Sequence, residues 1–423
     1  MSILDSLHRG MAIEVWSRLQ DAPNPPSIDQ AFGAFDMFVL HEQPQDLDYI
    51  SRWFDESASS FRAAHSDWEH MSIRTRALAL VRWLREQGFR GIQQEEDYRN
   101  LRNCFLGHVL SDPEHPSLPL VSSAIYCAMA TRLGFSAAPC NAPIHVHVVV
   151  SSPRGVDLDN NPLPEESPTD TMYLDPYTSA LEIQASALEA RRQLFLSAHP
   201  APVSSSSFFD PSPLAPLVSR MASNLKQTYT LIKRLPEETP ASLNLKTLRT
   251  GDPDHNAESA LYAAIWAALL STPAASPDWD SGLESFLNRF ALQYGEDAWI
   301  VERHLLPLYD RFVAHPAQAG RHRVGWENVG EILRMLENLD ARRPAVNRRY
   351  TEEIARRVPY RIGQVFRHRR YGYVGVINGW AAAGLASLPT PHFVEDGDED
   401  VGEEGGGEGV RDGRRGRTYY TCL

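Results

Sequence analysis

The chain has 423 residues, 43% of them hydrophobic and 22% charged, with 41 basic against 54 acidic side chains and a formal net charge of −13. That is globular material, enough for two or three domains and a sizeable core. Its acidity excludes whole-surface binding to DNA or to an anionic membrane, so any such binding must be local.

The first twenty residues scatter charges through any apolar run, which excludes a secretory signal. Helical spacing of apolar residues then runs through 27–40 and 46–91, with Ser27 as an N-cap and Gly88 and Gly91 as stops, so 1–97 reads as a helical N-terminal region. Two further helices are predicted between 98 and 134, the second opened by Pro119 and closed by Gly134. The period then changes, and "IHVHVVV" (144–150) and "TMYLDPY" (171–177) read as strands joined by a Pro/Asp/Asn-rich loop at 152–170. After a helix near 181–198, residues 200–216 form a Ser/Pro linker. Helical patterns return at 217–235, 257–271, 279–293, 297–314 and 327–357, as stacked hairpins. The longest apolar run, 260–270, is too short to span a bilayer. Four cysteines (Cys104, Cys127, Cys140, Cys422) form no C-x-x-C pair, which suits a reducing compartment and argues against a zinc finger. The protein is therefore expected in the cytoplasm, the nucleus or both.

The segment 98–199 carries the chemistry. A helix opening near Pro119, a strand with His145 and a strand with Asp175 occur in the order of a papain-like or transglutaminase-like site. In such a site a thiol at a helix N-terminus is acidified by the helix dipole, a histidine takes its proton and an aspartate fixes the tautomer. The motifs "NCFLGHVL", "PLVSSAIYCAMATRLG", "NAPIHVHVVV" and "MYLDPY" resemble the SirB-type transglutaminase-like family, and "MASNLKQTY" (221–229) resembles its tetratricopeptide-like tail. Aligned on that pattern, the nucleophile position falls at Leu120 or Val121, with Ser122 beside it, and neither apolar side chain can attack a carbonyl. Cys127 lies two turns further along, on the order of 10 Å away, and Cys104 and Cys140 read as small buried hydrophobes. Three readings of His145 and Asp175 remain: a hydrogen bond kept as structure, a Ser122–His145–Asp175 hydrolase, or an H-x-H metal pair with His147. The last has no recognisable third ligand, so no metal or other cofactor is expected.

Near the C-terminus "RIGQVFRHRRYGYVGVINGW" (361–380) is basic, aromatic and glycine-containing, with strand-forming valines on either side of a cationic turn. It resembles the start of the hemimethylated-DNA-binding, YccV-like domain, a small β-barrel, and "GRTYYTCL" (416–423) resembles a later strand of that family. The resemblance implies binding of DNA, hemimethylated or non-specific, or of a protein client, through Arg367, His368, Arg369, Arg370, Tyr371, Tyr373 and Trp380. An acidic insert at 395–409 replaces a short loop of the family. Ten arginines and two glutamates lie between Arg342 and Arg370, and eight acids with no base between Glu395 and Glu408, so the tethered acids are expected to compete with phosphates for the arginine strip.

The sequence therefore predicts an α+β protein: a mainly helical transglutaminase-like domain with a few strands, a tetratricopeptide-like helical region at 217–358 and an incomplete β-barrel at 359–423. SirB-type and YccV-like segments in one chain resemble eukaryotic F-box-only proteins, which implies ubiquitin-ligase subunits as partners. No L-P-x-E-[IV] start of an F-box is visible in residues 1–30. The expected function is that of a non-catalytic adaptor, with a Ser/His/Asp or cysteine-type hydrolase as the alternative.

Overall fold

The structure, a computed structural model, describes residues 3–19, 24–40, 46–92, 100–140, 142, 145–164, 167–198, 208–234, 253–273, 276, 278–308, 326–340, 360–367, 374–382 and 418–422. Two compact units divide the chain, Met1–Glu337 and Asn338–Leu423.

The first unit is mainly helical. Helices α1 (Ile3–Ser17), α2 (Ile28–Asp36), α3 (Leu47–Ala64) and α4 (Ile73–Glu86) are followed by a 3-10 turn at Leu101–Cys104, α5 (Leu106–Ser111) and α6 (Pro119–Arg132). A three-stranded sheet of β1 (Ser136–Pro139), β2 (Val148–Ser151) and β3 (Thr171–Leu174) comes next. Then come α7 (Ala185–Ala198), α8 (Leu214–Arg234), α9 (Pro253–Ser271), α10 (Asp278–Gln293), α11 (Ala298–Ile300), which runs into a π-helical turn at Val301–Leu305, and α12 (Trp326–Asp340). No helix among the described residues is long and apolar enough to cross a membrane.

Local chemistry explains the element ends. Ser27 N–H donates to Gln30 Oε1 at 3.2 Å as half of a capping box, and the side chains of Asp46 and Ser72 accept from Tyr49 N and Thr75 N to cap α3 and α4. Pro119 opens α6 without losing a needed donor, and Gly134, at φ +79°, closes it. Several boundaries differ from the sequence reading, among them that α7 begins at Ala185 and α8 at Leu214, inside the expected linker. The helix expected to 40 stops at Asp36, the segment expected as one helix from 98 breaks at Phe105, and β1, whose four residues include no β-branched side chain, has no strand signature.

One hydrophobic core runs from Ala12 to Val329. At its centre α6 is buried at every position from Pro119 to Ala130, a helix apolar all round as core helices are. Tyr126 spends its hydroxyl on Ala77 O at 2.9 Å. Antiparallel β1–β2–β3 follow, with Ala137 opposite Val150 and Val149 opposite Tyr173. The amino-terminal helices join the carboxyl-terminal ones through Phe38 on Tyr262, with Tyr262 stacked on Tyr294 at 3.7 Å.

A buried ion cluster makes the same junction. Arg9 on α1, 2% exposed in its side chain, donates from Nε and Nη2 to Asp297 at 2.8 Å each, and from Nη2 to Glu296 at 2.8 Å. Gly10 beside it lies against the Trp299 ring with no room for a Cβ. A paired buried charge is costly to break because the partner stays desolvated. Arg9→Ala should therefore lower unfolding free energy by about 3–5 kcal/mol, read as a fall in denaturant midpoint, whereas Arg9→Met with Asp297→Leu should recover most of the loss.

The second unit contributes three strands, β4 (Val365–Arg367), β5 (Val374–Ala382) and β6 (Thr418–Cys422), in one antiparallel sheet with β5 central. Val365 pairs with Val376 and Arg367 with Val374, and Trp380 lies opposite Tyr420 beyond an irregularity at Ile377/Gly379. Among the described residues these strands do not close a barrel. The acidic insert 395–409 lies outside the described residues.

Candidate functional site

The site is built where β2 begins and β3 ends. His145 and His147 do not sit inside a strand as expected. They lie just before β2, His145 at a bend, and the ladder starts at Val148. Asp175 is the first residue past β3. Its position is held by a turn in which Thr178 and Ser179 N–H donate to Asp175 O at 3.1 and 3.0 Å. Arg85 on α4 braces that turn by donating to Pro176 O and Tyr177 O at 3.2 Å each. Tyr177 also packs onto Gly91, where a Cβ would stand 2.5 Å from the ring and where φ is +71°, so only glycine fits there.

His145 Nε2 and Asp175 Oδ2 stand 2.8 Å apart, and since an ionised carboxylate only accepts, the ring nitrogen donates. Thr178 Oγ1 donates to the same carboxylate oxygen at 2.7 Å. Burial would push the Asp175 carboxyl up, but the bonds from His145 and Thr178 outweigh it and hold the acid below its ordinary range. His147 is 2% exposed, its ring centroid 4.9 Å from that of His145. Arg191 Nη1 on α7 donates to His147 Nε2 at 2.9 Å, while Nδ1 is buried with no hydrogen-bond partner. Burial, reinforced by His145 and Arg191, lowers the His147 imidazole to about 4, so it is neutral at pH 7.

These groups line one end of a cavity of about 380 Å³ whose other walls include Leu194, Phe208 and Phe209. Its volume is in the range of small-molecule sites. Thr178, Arg191 and the two phenylalanines carry no motif that sequence reading detects, because their roles depend on the turn after Asp175 and on the packing of α7.

Among the described residues, the positions read as the nucleophile do not line this cavity. Leu120 and Val121 are 2% and 0% exposed. Ser122 is 8% exposed, shares a 2.7 Å hydrogen bond with Ser117 Oγ and is not among the residues lining the cavity. It faces a small void with Phe89 and Pro176 instead. Cys104, Cys127 and Cys140 are buried and outside any disulfide, and burial pushes Cys127 well up and Cys140 up, away from the reactive thiolate. The structure supplies what the sequence lacked on metal ligation: ligand atoms of His145, His147 and Asp175 all lie within 4.8 Å of one another, so the H-x-H pair has a third candidate ligand.

In the second unit Arg367 is exposed on the same sheet face as Val365, Val374 and Val376. The predicted binding residues His368, Arg369, Arg370, Tyr371 and Tyr373 lie outside the described residues, and of Trp380 only the backbone, in β5, is described.

Residues 47–223 match the transglutaminase-like superfamily, and residues 358–393 match the hemimethylated DNA-binding protein YccV like family. No curated protein and no solved structure matches the chain.

Removing either member of the dyad leaves the other partly buried and unsatisfied, so Asp175→Ala should cost roughly 1.5–3 kcal/mol of stability. A double-mutant cycle with His145→Ala, read by denaturant unfolding, should give a coupling of the same sign. Additive losses would mean that the pair contributes no mutual stabilisation.

Proposed function

We propose that the protein is a non-catalytic adaptor, in which a transglutaminase-like domain has kept its histidine and aspartate but not its nucleophile, and a YccV-like segment binds DNA. The observation that carries this reading is the burial of Leu120, Val121 and Ser122 beside an assembled His145–Asp175 pair. Acyl transfer and ester hydrolysis need an activatable atom presented to the substrate, and the two hydroxyls near the nucleophile position of α6 are taken up, Ser122 by Ser117 Oγ and Ser123 by Pro119 O. The dyad then serves as a wall of a recognition cavity. Likeness to the SirB-type proteins and to F-box-only substrate receptors extends the reading to a role beside ubiquitin-ligase subunits, in the cytoplasm or nucleus.

The experiment is an acyl-transfer and ester-hydrolysis assay with chelator present, on wild type, Ser122→Ala and His145→Ala. The expected result is no turnover above background in all three. Wild-type turnover abolished by both substitutions would establish the Ser122–His145–Asp175 hydrolase instead.

For the second unit, Arg367 on its exposed strand and the arginines at 369 and 370 are proposed as phosphate contacts, opposed by the acids at 395–409. Each contact removed lowers the log–log salt slope by about 0.9, so a triple Arg→Ala variant should lose about 2.7 from the slope on duplex DNA. Deleting 395–409 should strengthen binding. If neither change moves DNA affinity at low salt, the segment is assigned to a protein client.

A further inference from the structure

We infer that His145, His147 and Asp175 form a binding site for a divalent transition-metal ion of the zinc class. The inference goes beyond the adaptor reading and does not depend on it, since the acyl-transfer assay is read in chelator.

Two nitrogen donors and a carboxylate oxygen lie within 4.8 Å of one another. His145 Nε2 and Asp175 Oδ2, 2.8 Å apart across their hydrogen bond, need to separate only to the roughly 3.4 Å that two ligands of a tetrahedral ion keep at metal–ligand distances of about 2.0–2.2 Å, the ion taking the place of the shared proton. The third ligand has to close by a small movement, and His147 is the residue with a reason to make it. A histidine–aspartate dyad needs one imidazole, and His147 takes no part in it. It is nonetheless buried in the cavity wall with a ring nitrogen that has no partner, a desolvated polar atom that natural cores seldom leave unsatisfied. Thr178 supplies the outer support that ligating carboxylates commonly have, with its hydroxyl on Asp175 Oδ2 and its amide toward Oδ1 at 3.4 Å. Two imidazoles and one carboxylate are the donor set that zinc, cobalt(II) and iron(II) share, and three protein ligands leave a position open to the cavity for water or a donor atom of whatever the cavity holds.

Arg191 sets the affinity. A neutral imidazole has a single lone pair, and in His147 that pair now accepts from Arg191. Whichever ring nitrogen takes the ion, the Arg191 bond has to break, and a guanidinium has to leave the neighbourhood of a dication. Arg191, although it reaches His147 from the cavity wall, is itself exposed to solvent, so water can solvate its guanidinium once that bond is broken. Metal and Arg191 are therefore mutually exclusive partners of His147.

The test uses the full chain, stripped with chelator and dialysed, and titrated with Co²⁺ under its visible absorption and with Zn²⁺ by calorimetry. The expected result is one Co²⁺ per chain, displaced by Zn²⁺, with affinity reduced about tenfold or more in His147→Leu and in Asp175→Asn. Arg191→Gln, an exposed change that leaves the core untouched, should bind about tenfold more tightly than wild type. Failure of wild type and Arg191→Gln to bind a stoichiometric ion overturns the inference. So does binding that is indifferent to both His147→Leu and Arg191→Gln, which would place the ion elsewhere.

Discussion

Burial of α6 from Pro119 to Ala130 is the constraint from which the rest of the first unit follows. A helix with no solvent face over about three turns has to be surrounded, and α2, α3, α4 and the sheet supply the surroundings. The same burial determines the chemistry at its N-terminus. A transglutaminase-like nucleophile stands there because the free N–H groups and the helix dipole lower a thiol's pKa. Here that end is filled with Pro119, Leu120 and Val121, and the dipole has no ionisable group to act on. The His145–Asp175 pair is held by Arg85, Gly91 and Thr178, which lie outside α6 and do not depend on what its first turn carries.

Much of this was legible in the chain. Pro119 and Gly134 bracket α6 in the sequence and in the structure, and the order of helix, histidine and aspartate was enough to bring His145 and Asp175 together. What stayed hidden was set by contacts distant in sequence. Asp175 as a third donor beside His145 and His147 is one case: the sequence separates it from the H-x-H pair by a loop whose path no motif describes. Arg9 is another, since nothing in "SLHRGMAIE" points to an aspartate 288 residues away. β1 was missed for a local reason, being four small residues recruited by the edge of β2 rather than by their own propensity.

The second unit shows the opposite balance. Its motif is dense in the sequence, and the described strands fall where the motif places them, with β4 pairing onto β5 and β6 pairing onto its other edge. Alternation explains the exposure of Arg367 beside three valines: residues two apart share a face, and the opposite face carries Gly375 and Ile377, both buried. A cationic side chain on an apolar sheet face offers a phosphate both charge and a flat surface on which a sugar or base can rest.

The link between Arg9 and Asp297 also says something about how the molecule comes into being. A ribosome delivers Arg9 early and Asp297 nearly three hundred residues later, and until then the guanidinium lacks the carboxylate it is buried against. Contacts of such long sequence separation form late and slowly, because the loop must close before the contact repays it. The transglutaminase-like segment, 47–223, lies wholly inside that loop and shares one core with helices on both sides of it. During synthesis it is therefore a half-walled domain, with the apolar face of α8 awaiting α9, and it is in that interval that a chaperone would find the nascent chain.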